Sequence, residues 1–479
     1  MTIVRPILEK LIYFFTFSLL FFSPLLIRSR SPDPLALFLV QTQCFLLFAL
    51  WLLWSLCKER EIKLSTKSLP LLVFLFICLL QIIPLPEFIL GIVSGKSLEI
   101  WEKNQSVLSA IGFGKENSAF TISLYLHGTW RETLLLLSYV AFGLVVSRSF
   151  RAKNQLKLLL IPVFAVALIE AAYGIYQYMA TSNTAAGPGL ESARGTFLNR
   201  NHFTGFLEMC LPLILGYALS LDKQRRRRNS FLKNVISSSS FQKQILLLFL
   251  LGIALLALFF SQSRMGIFSV LLSLLFFYLA YYSFKEDRME KAILILFILA
   301  IALIYGLWIG LHPIFERFLQ IESDAPGRTL VWKDSLRIIR DFPLFGTGFG
   351  TFGYVYPLYK KYMEQALLYI HAHNDYIQFT AETGLLGFIS LFIALALFIF
   401  SLLRTMGQLS QRRDYFRLFL ILGAPSGIVS LLIHSLADFN LHIPSNALYF
   451  AFLIGFSKAA CAGSEGDGDL HQRSYIAQK

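Results

Sequence analysis

Charged residues are scarce in this chain, and their scarcity excludes most soluble protein classes. Only 15% of the 479 residues are Asp, Glu, Lys or Arg, whereas 56% are hydrophobic and the mean hydropathy is +0.61. Soluble domains typically carry about 25% charged residues. Because no soluble core could bury this much apolar surface, the composition predicts a membrane protein.

Residues that hold metals or form disulfides are also few. The five cysteines are scattered without the spacing of a zinc site or a disulfide framework: Cys44, Cys57, Cys78, Cys210 and Cys461. Asp467 and Asp469 could form an acidic metal pair, but they lie in a polar tail, and we interpret them as solvated. The sequence therefore predicts neither a metal nor a cofactor.

Apolar runs long enough to cross, or nearly cross, the hydrocarbon core recur along almost the whole chain. There are twelve such runs, at residues 11–27, 35–57, 69–83, 133–146, 158–179, 205–221, 245–260, 267–282, 292–311, 377–403, 418–432 and 447–460. They predict an all-α polytopic membrane protein with about 12 transmembrane helices. Several runs are short, so their ends are set only to within a few residues.

The distribution of basic residues predicts the orientation. The first run has no small-residue cleavage site and is followed by Arg28 and Arg30, which indicates a retained helix and a cytoplasmic amino terminus. With this orientation most of the 43 Lys and Arg residues fall in inward loops and tails. The basic run 225–228 then anchors an inward loop to anionic lipid, and we expect no nucleic-acid partner.

The outward segments carry the polar detail of the sequence. They are residues 181–203, the turn 261–264, a long loop at 313–375, and residues 434–446. Within the long loop, residues 332–340 have helical spacing, with Trp332, Leu336 and Ile339 on one side. This pattern predicts a short amphipathic helix that lies along the membrane surface.

The most function-like motif stands where the long loop enters a hydrophobic run. His373 and Asn374 are followed by nine residues and then by Gly384 and Gly387. In a continuous helix from Asp375, Gly384 would fall about three turns beneath His373, with Gly387 beside it. One smooth helix face would then admit another helix or a lipid tail.

Three arginines lie in the outward segments. Arg264 follows the tight turn between two apolar runs, Arg328 follows Pro326-Gly327, and Arg194 opens Arg194-Gly195-Thr196-Phe197. Guanidinium groups suit bidentate phosphate recognition, although long cations near helix ends also extend to lipid headgroups without further function.

Acidic residues inside the apolar runs are candidates of a second kind. Glu170, Glu208 and Glu382 lie within runs, and Asp438 lies close to the outer rim. Each is either functional or satisfied by a structural hydrogen bond between helices.

Together these residues resemble the O-antigen ligase and polymerase superfamily of bacterial envelope glycosyltransferases. The resemblance covers residues 195–460 and is carried by the segments 194–197 with Asn201, 261–264, Arg328 with Trp332, 346–350, and His373-Asn374 with Gly384 and Gly387. The last segment fits the family's pattern of His, then Asn, Ser or Gln, then nine residues, then Gly-x-x-Gly.

The resemblance implies a GT-C-type enzyme of the bacterial inner membrane that acts on the periplasmic side, with both termini cytoplasmic. Helices within 1–180 would precede a catalytic membrane region, 181–460, that includes the loop 313–375, and 461–479 would be a polar cytoplasmic tail. The donor would be a glycan on undecaprenyl diphosphate. The acceptor would be lipid A-core in a ligase, a glycan in a polymerase, or a protein in the related oligosaccharyltransferases.

The resemblance also implies roles for single residues. His373 matches the family's essential histidine, and Arg264 and Arg328 match arginines that engage the diphosphate, while Arg194, Asn201 and Asn374 would line the substrate site. A neutral imidazole can take the proton of the attacking hydroxyl, and direct in-line attack would invert the anomeric carbon. A lipid or sugar transporter and a nonenzymatic assembly component are the alternatives. No internal repeat typical of transporters is visible.

Overall fold

The computed structural model describes residues 4–28, 33–57, 66–112, 120–182, 192–222, 239–283, 321–361 and 369–476, which form helices and connecting loops without a strand. The α-helices in these ranges are α1 Val4–Leu26, α2 Pro34–Leu56, α3 Leu69–Leu80, α4 Glu87–Ala110, α5 Leu126–Ser149, α6 Lys153–Ser182, α7 Arg200–Asp222, α8 Ser239–Phe260, α9 Arg264–Ser283, α10 Ile321–Asp341, α11 Phe352–Tyr359, α12 Asp375–Gln411, α13 Tyr415–His434 and α14 Pro444–Ile476. Short 3₁₀ turns stand at Thr66–Ser68 and Asn440–His442.

The prediction of an all-α polytopic protein is confirmed. Each predicted apolar run coincides with one of these helices, except 292–311, which lies outside the described residues. Among the described helices, nine are long and apolar enough to cross a membrane, namely α1, α2, α5 to α9, α12 and α13. The count of twelve is not confirmed, since α3 is short and α14 is not among the nine.

Helices α7 and α13 form the centre of the bundle and are almost entirely buried. Their glycines allow the two backbones to touch. A Cβ atom at Gly216 would meet the carbonyl oxygen of Phe419, and one at Gly427 would meet that of Met209. Small residues permit this approach in a membrane, where packing contacts replace hydrophobic exclusion from water. The pair therefore gives the bundle a rigid axis.

Two helices on the side of the long loop differ from the sequence expectation. Helix α4 occupies a segment expected to be a loop, because its apolar part is too short to register as a span. Helix α10 contains the predicted amphipathic helix 332–340, but its buried residues include Val331, Asp334 and Ile338, whereas Leu336 is 56% exposed. Helix α10 therefore packs on protein mainly through a side other than the one predicted to be apolar, although Ile339 of the predicted side also packs there.

Loops that the charge pattern assigns to one side of the membrane meet at one end of the bundle. Ser445 N–H donates to Ile27 O over 3.2 Å, and Ala193 N–H donates to Phe260 O over 2.9 Å. At the opposite end Lys153 pairs with Asp414, with 3.0 Å between nitrogen and oxygen. The outward segments of the sequence thus form one connected polar end, and the candidate site lies there.

Candidate functional site

His373 lies where the chain enters α12, and its neighbours fix it from two directions. Asn374 caps the helix, since its side-chain oxygen accepts from Ile377 N–H over 3.1 Å and its amide donates to Leu436 O over 2.8 Å. Asp375 N–H donates to Ser435 O over 3.0 Å. His373 itself has a φ of +51°, a left-handed conformation that costs a non-glycine residue about 1–3 kcal/mol. The loop after α13 therefore holds the histidine in a strained, defined position.

Asp438 is the centre of the site. Its Oδ1 atom lies 3.7 Å from His373 Nδ1 and also 3.7 Å from His202 Nε2. Its Oδ2 atom accepts from the Asn201 side chain over 2.5 Å. Both imidazole rings stand edge-on to Phe439, with centroids 4.8 Å away. One buried carboxylate thus faces two imidazoles and an amide.

The charge of Asp438 follows from these neighbours. Burial alone raises the pKa of a carboxyl group, but contacts with His202 and then His373 outweigh it and hold the pKa of Asp438 well below its usual range. Asp438 is therefore ionised at neutral pH. The sequence left open whether this residue is functional or structural, and its position between two imidazoles places it in the site.

Arg328 reaches the same loop from α10. Its Nη1 atom donates to Ala437 O over 2.8 Å, one residue from Asp438. On the next turn of the helix, Trp332 Nε1 donates to Ala372 O over 2.8 Å, one residue from His373. Helix α10 therefore packs against the loops that carry His373 and Asp438, and the guanidinium of Arg328 lies beside the residue that precedes Asp438.

Arg264 is joined to the site through the turn that precedes it. The side-chain amide of Asn201, near the start of α7, makes two hydrogen bonds. Its oxygen accepts from Ser263 Oγ over 2.8 Å, and its nitrogen donates to Asp438. Gln262 has a φ of +54°, which makes this turn tight, and Arg264 is the first residue of α9. The chain from Asp438 through Asn201 and Ser263 therefore ends beside Arg264.

Arg194 lies at the same end but is held by a separate network. The carboxylate of Glu170 accepts from Thr196 N–H over 2.8 Å and from Thr196 Oγ1 over 2.6 Å. Gln177 accepts from Arg194 N–H over 3.4 Å. Glu170 thus has a structural role, because it fixes the loop that contains Arg194. The same loop is hydrogen-bonded to the end of α8 through Ala193.

The predicted glycine face beneath His373 does not form. Gly384 has a φ of +67° and interrupts α12, so the helical register assumed from Asp375 ends there. A Cβ at Gly384 would meet the backbone of Leu344 and Phe345, and one at Gly387 would meet the Thr383 side chain of the same helix. The glycines therefore serve a kink packed against a loop, where only a bare backbone fits.

Glu382 fixes that loop to α12. Its carboxylate accepts from Gly350 N–H over 2.9 Å, from Phe352 N–H over 3.2 Å and from the Gln378 amide over 3.0 Å. The backbone donors of the Gly348-Phe349-Gly350-Thr351-Phe352-Gly353 stretch are thus used inside the protein. No strand precedes this glycine stretch among the described residues, so it lacks the strand–turn–helix setting of a dinucleotide-binding fingerprint.

His442 links the two halves of this region. Its Nδ1 atom lies 2.6 Å from Asp375 Oδ1, and its Nε2 atom lies 3.9 Å from Glu382 Oε2. Burial lowers the pKa of an imidazole, but the imidazole donates to Asp375 and faces Glu382, and these two carboxylates prevail and raise the pKa of His442 to about 10. His442 is therefore a buried cation that clamps the start of α12.

His434 and Glu208 form a further pair beneath the site. His434 Nδ1 lies 3.2 Å from each carboxylate oxygen of Glu208, and both side chains are fully buried between α7 and α13. Glu208 thus has a hydrogen-bonded partner across the central helix pair. No cluster of three His, Cys, Asp or Glu side chains in the described part of the chain has the arrangement of a metal site.

Sequence reasoning proposed His373, Asn201, Asn374, Arg264 and Arg328 as site residues but did not propose His202. Its imidazole shares Asp438 with His373, although more than 230 positions separate it from that carboxylate in the sequence. The one available signal was its place directly after Asn201, within a segment of the resemblance.

Comparison with known protein families gives a match over part of the chain. Residues 248–392 match the family model described as O-Antigen ligase. The matched stretch contains Arg264, Arg328, His373, Asn374, Gly384 and Gly387. No curated protein matches the chain. The family match supports an O-antigen ligase-like or polymerase-like membrane enzyme. The resemblance drawn from the motifs is therefore confirmed, since residues 248–392 are similar to the O-antigen ligase family.

Proposed function

We propose that this protein is a periplasm-facing glycosyltransferase of the bacterial inner membrane. It moves a glycan from undecaprenyl diphosphate to a hydroxyl of lipid A-core and inverts the anomeric centre. The observation that carries the proposal is the placement of His373 beside ionised Asp438. Arg328 is bonded to Ala437, the residue before Asp438. The description of the matched family as O-Antigen ligase supports the ligase alternative.

In this proposal His373 is the general base. Its Nδ1 atom is buried and faces Asp438, so a proton on Nδ1 leaves Nε2 free to accept another. About a quarter of the side chain is exposed, at 26%, which gives the acceptor hydroxyl access to the ring. Nε2 takes the hydroxyl proton as the oxygen attacks the anomeric carbon, and Asp438 stabilises the resulting imidazolium.

The arginines stabilise the leaving group. As the bond between the anomeric carbon and the phosphate oxygen breaks, the electron pair leaves with undecaprenyl diphosphate, whose charge requires neutralisation. Arg328 is anchored beside Asp438, and Arg264 stands at the amino-terminal end of α9, where the helix dipole also favours anions. Arg194 provides a third cation near the donor, while Asn201 and Asn374 hold Asp438 and the loop at Leu436.

The distribution of these residues favours an enzyme over a transporter. Transporters place substrate sites near the bilayer midplane, commonly between broken helices related by a repeat. Here His373 and Asp438 lie in loops at one end of the bundle, and Arg328 of α10 bonds to the loop of Asp438. Such a rim position suits a reaction between a headgroup and an acceptor that both project from the membrane.

The test is glycan transfer by the purified chain from a lipid-linked donor to lipid A-core. We expect His373→Ala to lower transfer by at least about 10²-fold, the usual contribution of a general base. His127→Ala is the matched control, because His127 is an exposed histidine at the start of α5. Retained transfer by His373→Ala would remove the base assignment. A ladder of glycan products from the wild-type chain would instead indicate a polymerase.

A further inference from the structure

Helix α3 is too short to cross the membrane. Its 12 residues, Leu69–Leu80, span only about 18 Å, against about 30 Å of hydrocarbon. Lys67, just before the helix, lies 3.4 Å from Ser401 Oγ in the distal part of α12. Helix α3 therefore starts far from the site end, and the chain that follows Leu80 is still at the depth of the membrane or its interface.

The segment that follows α3 is apolar and unusually exposed. Residues 87–93 of α4 read Glu-Phe-Ile-Leu-Gly-Ile-Val, and Phe88 is 79% and Ile92 70% exposed. Helix α3 already exposes a stripe of apolar side chains at helical spacing, which includes Leu72, Phe76 and Leu79. The exposed apolar side chains of α4 thus continue a lipid-facing surface along the chain.

The other side of α4 is packed on protein. Leu90 is fully buried in a cluster with Phe120 and Ile122, and Trp101 Nε1 donates to Thr121 O over 3.0 Å. Phe88 and Ile92 are therefore exposed on one face of an ordered helix whose other face packs on protein. An open apolar face on an ordered helix marks an interaction surface.

The second half of α4 has a different character. Ser94 has non-helical dihedral angles, φ −154° and ψ 73°, which kink the helix directly after the apolar segment. Beyond the kink the exposed residues include Glu99, Glu102 and Lys103. The kink thus separates an apolar segment from a segment that also carries charged residues.

We propose that residues 87–93 insert into the membrane leaflet on the side of the site and act as an interfacial anchor. Membrane lipid is the occupant, because α3 ends at membrane depth and its lipid-facing stripe leads into this segment. The segment before the anchor is also hydrogen-bonded to α12 and to the glycine-rich loop that packs on it. Gln81, between α3 and α4, donates to Glu382 O over 2.8 Å and accepts from Phe349 N–H over 2.9 Å.

The test measures the depth of single positions in the full chain in lipid nanodiscs. Spin labels at Phe88→Cys and Ile92→Cys are compared with one at Glu102→Cys, and the labelled wild-type chain corrects for its five cysteines. Power saturation is recorded with oxygen, which concentrates in the bilayer, and with nickel(II) ethylenediaminediacetate, which stays in water. We expect oxygen to relax the labels at 88 and 92 more than nickel does, and the reverse at 102.

Two outcomes would overturn the anchor. Labels at 88 and 92 that respond to nickel as the label at 102 does would place the segment in water. Labels shielded from both reagents would show that protein, such as a second copy of the chain, covers the face. Two independent positions keep the test valid if one variant does not fold, and the result does not depend on the proposed glycosyl transfer.

Discussion

Replacing Asp438 by Asn tests the chemistry of the site most directly. The two side chains have nearly the same shape, but Asn carries no charge. Because contacts with His202 and His373 keep the pKa of Asp438 well below its usual range, the substitution removes a charge that is present at neutral pH. The imidazolium that forms on His373 during transfer then loses its counter-charge.

The size of the effect follows from the distance. His373 Nδ1 and Asp438 Oδ1 are 3.7 Å apart, and unit charges about 4 Å apart interact by about 4 kcal/mol at an effective dielectric of 20. His202 shares the same oxygen, and the His373 side chain is 26% exposed, so we retain about half, or about 2 kcal/mol. Since about 1.4 kcal/mol is tenfold in rate, kcat should fall about thirtyfold.

The assay is the transfer of lipid-linked glycan to acceptor by purified protein, with kcat and the KM for the donor measured separately. We expect the KM to change little, because Asp438 contacts the base and not the donor diphosphate. Asp414→Asn is the control, since Asp414 is a half-buried, cation-paired carboxylate at the opposite end of the bundle. If a folded Asp438→Asn protein kept a wild-type kcat, the electrostatic role of Asp438 would be refuted.

Three further predictions address other parts of the site. Arg264→Lys and Arg328→Lys keep the charge but lose the bidentate fork, so transfer should fall at least about tenfold, and unchanged kinetics would argue against diphosphate recognition. The pKa of His442 is raised from its usual value near 6.5 to about 10, so its protonated form stabilises the fold. This stabilisation is fully present below a pH of about 6.5 and is lost as pH rises through about 10. The wild-type Tm should therefore fall more steeply than that of His442→Gln between these pH values, and parallel slopes would contradict the clamp. Gly384→Ala should lower stability by about 2 kcal/mol or more, since its φ is +67°, whereas Gly252→Ala in α8 meets no neighbouring atom and should be neutral.

Most of the helical architecture could be predicted from the sequence because hydrocarbon thickness imposes a length on apolar runs. The runs at 205–221 and 418–432 became α7 and α13, with ends a few residues beyond the apolar stretch. Helix α4 was missed for the same reason, since its apolar part is short and its remainder is polar. Hydropathy finds helices that cross a membrane more easily than helices that lie at its surface.

Residue types and order identified His373, Arg264 and Arg328, but they could not reveal the geometry around them. The assumption of a regular helix after Asp375 placed Gly384 beneath His373, and the left-handed φ of Gly384 broke that register. Periodicity describes an uninterrupted helix only. A glycine that packs on the loop at Leu344 is a tertiary contact, and no local pattern encodes it.

The site is completed by parts of the chain outside the family-matched stretch. Residues 248–392 supply His373, Arg264 and Arg328, but Asp438 follows α13 and Asn201 opens α7. Asn201 lies in the first turn of α7, and Asp438 lies shortly after the end of α13. The packing of these two central helices, which are joined through glycine contacts, therefore sets the distance between the Asn201 amide and the Asp438 carboxylate. A change in α7–α13 packing, such as Gly427→Leu, should disturb the site without touching a residue in it.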